Sequence, residues 1–309
     1  MDTPARRTDT DRTPTTTGAD ADGAPSVAGG YDVGALRDLA ERAARAAGTL
    51  VRDGRPETVE VAATKTSAVD VVTQMDLAAE RTLREVILRE RPHDGVLGEE
   101  GGLVPGTSGI TWVLDPIDGT VNYLYGIPAF AVSVAAVAGP PDPGAWTLLA
   151  GCVHAVADGR TWTAGRDQGA ELDGRAVHVN AARPLAESLC GTGFGYRSDR
   201  RRAQARVLLE VLPRVRDVRR IGSAAMDLCL VASGGLDLYF ERGLNPWDLA
   251  AAQLVAQEAG AVVTGLRGQA AATAMTVAGP APTVRDLVAL LESLDADDDG
   301  APGPGGADG

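Results

Sequence analysis

The sequence predicts a layered α/β protein, on three observations. Two helix-patterned segments precede the first strand signals, hairpin-connected strands fill the middle, and strands then alternate with helices to the end. Taking the elements in order, Leu36, Leu39, Ala43, Ala47 and Leu50 recur at helical spacing. A second helix opens near Thr73, with Asp76 completing a start like a capping box and Leu83, Val86 and Ile87 forming its apolar stripe. Strand signals follow at 95–97, 111–114 and in the alternating stretch 131–137, each bounded by Gly or Pro. Asp158-Gly159 and Asp173-Gly174 are turn signals between short β-rich runs, and they predict an antiparallel sheet through about Val179. Beyond it, strand-like runs near Leu189, near Val218 and at 236–240, 261–264 and 276–278 alternate with helix patterns at 199–214, 223–233, 246–259 and 283–294. The expected organisation is a disordered tail at 1–30, an α+β lobe at 31–185, an α/β lobe at 186–294 and a disordered acidic, Gly- and Pro-containing tail at 295–309.

At 309 residues and 44% hydrophobic composition the chain can bury one large core or two smaller ones. A formal net charge of −13 disfavours a partner whose surface is itself anionic, whether nucleic acid or membrane. Cys152, Cys190 and Cys229 are odd in number, far apart and in apolar surroundings, which points away from a disulfide framework or a zinc site and toward a reducing cytoplasm. No apolar run reaches the roughly 18 to 20 residues that span a bilayer, and no signal-peptide pattern opens the chain.

The chemistry-bearing segment is Asp115-Pro116-Ile117-Asp118-Gly119-Thr120, which follows a strand-like run. Pro116 forbids regular continuation, and a turn there can aim both carboxylates into one small volume. Paired carboxylates repel unless protonated or bridged by a cation, and hard oxygen donors select Mg²⁺ or Mn²⁺. The amides of Gly119 and Thr120, opening a short helix, would sit beside them as an anion cradle. Taken alone, the same residues also suit an Asx-type turn whose Asp caps a helix. Two further acidic elements share this ambiguity. Glu99 and Glu100, in Gly98-Glu99-Glu100-Gly101, suit a ligand pair or a solvated edge, and Asp248, in Asn245-Pro246-Trp247-Asp248, suits a ligand or a helix cap.

In combination these segments resemble the inositol monophosphatase family, whose signatures G-E-E, D-P-[IL]-D-G-T and W-D-x-A-A occur in this order with comparable intervals. Lys65-Thr66-Ser67 through Asp70 and Thr73 to Asp76 is similar to a further family stretch, as are Gly222-Ser223-Ala224-Ala225 and Glu241-Arg242-Gly243, so the resemblance covers roughly 33–294. It implies an αβαβα sandwich of the inositol monophosphatase and fructose-1,6-bisphosphatase type, found as a homodimer. It implies two to three Mg²⁺ ions, replaceable by Mn²⁺: Glu99, Asp115 and the Ile117 carbonyl hold the first, and Asp115, Asp118 and Asp248 the second. It assigns activation of the attacking water to the region of Glu99 and Thr120, with Asp76 orienting the Thr120 hydroxyl. Gly119 and Thr120 would take the phosphate; Asp118, Gly222, Ser223, Ala224, Glu241 and Asp248 would face a polyol. The implied activity is hydrolysis of myo-inositol monophosphate, inhibited by lithium. Without the resemblance Glu241 reads first as an exposed strand-end charge, and Lys65 suits either a neutraliser of local negative charge or a solvated lysine. Histidinol phosphate and other sugar or nucleotide phosphates are alternatives within the family, and a non-catalytic regulatory protein on the same fold is an alternative of another class. A haloacid-dehalogenase-type phosphatase is disfavoured, because its D-x-D-x-T has one residue between the aspartates and this chain has two. His93, His154 and His178 stand apart from the acidic motifs, and Gly191 to Tyr196 lacks the last glycine of a dinucleotide fingerprint.

Overall fold

The structure, a computed structural model, describes Met1 and residues 27–28, 30–55, 61–64 and 71–298. A short ribbon, β1 (Val27–Ala28) against β2 (Tyr31–Asp32), leads into α1 (Val33–Asp53), and the Asp32 carboxylate caps that helix by accepting the Ala35 N–H at 3.0 Å. The hairpin β3 (Val61–Thr64) and β4 (Val71–Thr73) runs directly into α2 (Gln74–Glu90). The first large sheet contains β5 (Gly95–Gly98), β6 (Gly102–Val104), β7 (Ile110–Asp118), β8 (Ala131–Ala138), β9 (Thr147–Ala155), β10 (Thr161–Gly165), β11 (Ala170–Leu172) and β12 (Arg175–Ala176), with α3 (Thr120–Tyr125) between β7 and β8. Its spatial order is β12-β11-β10-β9-β8-β7-β5-β6, antiparallel except where β5 and β7 lie parallel. The second sheet holds β13 (Leu189–Thr192), β14 (Asp217–Arg219), β15 (Leu238–Glu241), β16 (Val262–Thr264) and β17 (Thr276–Gly279) in the order β14-β13-β15-β17-β16. The remaining helices are α4 (Ser198–Val211), α5 (Ala224–Ala232), α6 (Pro246–Glu258) and α7 (Ala281–Ser293).

Side-chain alternation along β8 builds the layers. Val132, Val134 and Ala136 enter a core with Leu36 and Leu39 of α1 and Leu83 and Ile87 of α2, whereas Ala131, Ala135 and Val137 enter a core with α5 and α6. That second core also takes Tyr239 of β15 and Ala278 of β17, so α5 and α6 form a layer between the two sheets. The far face of the second sheet is covered by Val211 of α4 and by Leu287 and Leu291 of α7. The result is α, β, α, β, α. A helix packed between two sheets must be apolar nearly all round, and α6 is buried continuously from Leu249 to Ala256.

Ordered packing extends past α7. Ala296 is buried, and Arg267 pairs with Asp295 and Asp297, so 295–298 do not share the disorder expected of the acidic tail; the rest of both tails lies outside the described residues. Cys152, Cys190 and Cys229 are free and buried, with burial pushing each thiol up. Among the described residues no helix is long and apolar enough to cross a membrane.

Candidate active site

The site assembles where β7 leaves the first sheet. In its pairing with β8, Asp115 lies opposite Ser133 and Asp118 opposite Ala131, so three steps on one strand match two on the other. Residues three apart on a regular strand point to opposite faces, and the extra residue of this bulge returns Asp118 to the face of Asp115. The interruption expected at Pro116 is therefore a β-bulge within a strand that resumes pairing at Asp118, with the Asp115 Oδ1 accepting the Ile117 N–H at 3.0 Å inside it. Gly119 then turns the chain into α3 at φ 95°, and a Cβ there would meet the Ala129 carbonyl oxygen at 2.9 Å, so conformation and space both require glycine.

Asp248 arrives from the first turn of α6, where its Oδ2 accepts the Asn245 N–H at 2.7 Å. It is a helix cap and a cluster member at once: one carboxylate oxygen each of Asp115, Asp118 and Asp248 lie within 4.8 Å of one another. Burial, then the charges of Glu99, Asp118, Asp248 and Asp76, hold the Asp115 carboxyl well above its usual range. Burial, then Asp118 and Glu99, do the same to Asp248. Asp118 is pushed by burial only to about 6, because the Ser223 hydroxyl donates to its Oδ2 at 2.5 Å, the Ala225 N–H donates to the same atom at 2.7 Å, and Arg220 is near. Three carboxylates held this close against their own repulsion match what a hard divalent cation requires of a protein.

With the exception of Asp76, every site residue expected from the sequence lines one cavity of about 540 Å³. Asp76 is buried on α2, where its charge acts on Asp115. The Thr120 hydroxyl has an acceptor other than the expected Asp76: it donates to the Ile117 carbonyl at 3.0 Å. Ser223 is likewise engaged, holding Asp118 as well as facing the cavity. Glu241, partly exposed to the cavity, accepts the Tyr239 hydroxyl at 2.6 Å, and burial pushes it up to about 7 against that hydrogen bond and the charge of Arg220. A Cβ at Gly193 would lie 1.9 Å from the Glu241 Oε2, which explains a glycine of the 191–196 stretch without any nucleotide. Lys65 lies outside the described residues, and no histidine lines the cavity.

A profile of the inositol monophosphatase family matches residues 32–294. The chain belongs to that family. Among relatives, the inositol-1-monophosphatase of Mycobacterium bovis is 43% identical over 276 residues, covering 83% of this chain and 93% of its own length. The Nus factor SuhB of Pasteurella multocida is 37% identical over 236 residues, covering 75% and 86%. Of solved structures, Mycobacterium tuberculosis SuhB superposes with a TM-score of 0.72 at 40% identity, over 86% of this chain and 98% of that one. An IMPase of Thermotoga maritima gives a TM-score of 0.74 at 27% identity, over 85% and 98%. The five-layer architecture is thus the inositol monophosphatase fold.

Within this inositol monophosphatase-family site, several residues act without a motif to announce them. Arg197, Arg200, Arg220 and Arg242 share the cavity lining, and the Asn122 amide ties α3 to the other half of the cavity by donating to the Ala129 and Ile221 carbonyls at 2.7 and 2.9 Å. Asp227 on α5 is 1% exposed, its Oδ1 lacks a hydrogen-bond partner, and burial, then Glu241 and Asp118, push it up to about 9. A carboxyl raised in the folded state contributes stability below its unfolded value of about 4, and that contribution is lost as pH rises toward the folded value. Asp227→Asn is therefore expected to be more stable than the parent at pH 8, by on the order of a few kcal/mol, and close to it at pH 4. Urea unfolding at both pH values tests this, and an advantage independent of pH would contradict it.

Proposed function

We propose that the protein is a Mg²⁺-dependent phosphomonoesterase acting on a phosphorylated polyol, with myo-inositol 1-phosphate as a substrate. The observation that carries this reading is the triangle of Asp115, Asp118 and Asp248, the first two buried and the third half-buried, on the wall of a cavity that also presents Glu241. Glu99, Asp115 and the Ile117 carbonyl would hold one ion, and Asp115, Asp118 and Asp248 a second. Bound Mg²⁺ supplies activation of water near neutral pH and stabilises charge on the transferred phosphoryl group. The chain's own residues do the rest. Thr120 fixes the Ile117 carbonyl, Ser223 and Ala225 fix Asp118, and Asn245 fixes Asp248, so the carboxylates are oriented before substrate enters. The amides of Gly119 and Thr120 face the phosphate, and Glu241 accepts from polyol hydroxyls. Gly222, Ser223 and Ala224 complete the polyol wall. In this reading the protein is a cytoplasmic homodimer inhibited by lithium.

A kinetic panel of myo-inositol 1-phosphate, histidinol phosphate, fructose 1,6-bisphosphate and a 3′-phosphoadenosine nucleotide, with and without Mg²⁺, tests the substrate. The inositol phosphate is expected to lead in kcat/KM, and a strong preference for histidinol phosphate or the nucleotide would sink the assignment. The Nus factor relatives favour a second reading, an interaction protein on this fold. Absence of Mg²⁺-stimulated phosphate release across the whole panel would select it.

A further inference from the structure

Glu80 lies one turn beyond Asp76 on α2, is 3% exposed and belongs to none of the family signatures above. Its carboxylate faces the loop that carries Glu99. Oε2 accepts the Glu100 N–H at 2.8 Å, and Oε1 accepts the Gly101 N–H at 3.0 Å. Arg84, a turn further along α2, donates Nε to the same Oε1 at 2.8 Å and Nη2 to the Gly102 carbonyl at 3.1 Å. The loop closes tightly on this pair: a Cβ at Gly98 would meet the Glu80 carboxyl carbon at 2.4 Å, and one at Gly101 would meet Glu80 Oε1 at 2.6 Å. From the opposite side the Glu99 N–H donates to the Leu114 carbonyl at 3.2 Å, one residue before Asp115.

A buried ion pair adds little net stability over a well-packed apolar pair, so stability alone gives no reason for a carboxylate here. What it does supply is geometry. Two adjacent backbone N–H groups are fixed by two oxygens of one carboxylate, and an arginine fixes that carboxylate in turn. Glu99, immediately before those N–H groups, is thereby held between α2 and β7, the elements that carry Asp76 and Asp115.

We propose that Glu80, braced by Arg84, is a positioning residue that sets the place of Glu99 and through it the affinity of the site for divalent cations. The proposal rests on Glu99 being a metal ligand. A ligand on an unfixed loop must be ordered by the ion itself, and the ordering cost subtracts from affinity. Supporting residues behind metal ligands typically change affinity by about 10- to 100-fold when removed. Because Glu80 touches neither the Asp115, Asp118 and Asp248 triangle nor Glu241, its loss falls on metal binding rather than on substrate binding.

Glu80→Gln keeps the volume but turns an NH₂ group toward one of the two N–H donors. Mn²⁺ alone is titrated into the full-length protein, with free Mn²⁺ followed by electron paramagnetic resonance. A Mg²⁺ titration of phosphate release from myo-inositol 1-phosphate runs beside it. The expected result is a rise of about 10-fold or more in the Kd of a Mn²⁺ site and in the Mg²⁺ concentration for half-maximal activity. Substrate KM at saturating Mg²⁺ should stay at the parent value, and kcat there should largely recover. Gly101→Ala presses on the same carboxylate from the loop side and is expected to act in the same direction; it decides the matter if Glu80→Gln does not fold. Parental Mn²⁺ binding and Mg²⁺ response in a folded variant would overturn the clamp, as would a fall in kcat that saturating Mg²⁺ leaves uncorrected. A parent protein that itself neither binds Mn²⁺ nor responds to Mg²⁺ would overturn the metal-dependent reading as well, which separates the two failures.

Discussion

Asp115→Asn is expected to lower Mg²⁺-dependent phosphate release by on the order of 10³-fold or more, since metal-ion chemistry contributes several kcal/mol to such reactions and each 1.36 kcal/mol is tenfold. Asp115 is the carboxylate shared between both proposed ion positions, and it is buried at the crowded end of β7. An amide of the same shape keeps one oxygen for the Ile117 N–H but cannot neutralise a cation. The fold should survive, because the substitution removes a charge from a cluster whose members already repel one another. The metal-free variant should melt higher than the metal-free parent at pH 7 to 8. Steady-state kinetics and differential scanning fluorimetry on the same samples test both halves. Near-normal turnover would remove Asp115 from its bridging position.

The second large effect is on stability, and its sign follows from the raised carboxyls. Asp115 and Asp248 are held well above their usual range by burial and by one another's neighbours, and Asp118 is pushed to about 6. Each binds a proton more tightly folded than unfolded, so each contributes stability that is present below about pH 4 and is lost as pH rises through the folded values. His154 acts in the opposite sense, because burial, then Arg45 and Arg52, lower its affinity for a proton; that effect ends near its unfolded value of about 6.5. Between pH 6.5 and 8, metal-free protein is thus expected to lose stability with rising pH. Mg²⁺ competes with protons for the same oxygens, so its stabilisation should grow over that range. At about 100 times Kd it amounts to roughly 2.7 kcal/mol, or about 4 to 5 °C in Tm for a chain of this size. Melting in EDTA and in Mg²⁺ across this range tests it, and two coincident flat profiles would count against a metal at the triangle.

Much of this site is legible in the sequence because its chemistry sits in short segments. The pairs Asp115 with Asp118, Glu99 with Glu100, and Asp248 behind Pro246 each carry their own local signal. The layers are legible because β8 alternates and α1 carries a clear stripe. What is hidden depends on partners remote in sequence. Pro116 announces an interruption, yet only the pairing to Ser133 and Ala131 shows that it is a bulge rather than the end of a strand. The Thr120 hydroxyl donates to the Ile117 carbonyl, a contact that only the shape of the turn after Pro116 decides. Glu80 with Arg84 reads as an ordinary i,i+4 surface pair, and nothing in α2 reveals that a glycine loop folds over it. Asp295 and Asp297 look like a solvated acidic tail until Arg267, thirty residues before Asp297, is seen to anchor them.

The middle helical layer has a consequence for how damage to this protein would show itself. Asp118 is gripped by the start of α5, Asp248 rides on the start of α6, and Asp115 belongs to the first sheet, while Glu241 belongs to the second. The spacing of the carboxylates is therefore a gauge of how the two sheets sit across that layer. A cavity opened deep within it, at Leu228 or Leu249, is expected to weaken the proposed cation site before it costs the protein its fold. Core integrity and the affinity of the proposed cation site would then be two measurements of one displacement.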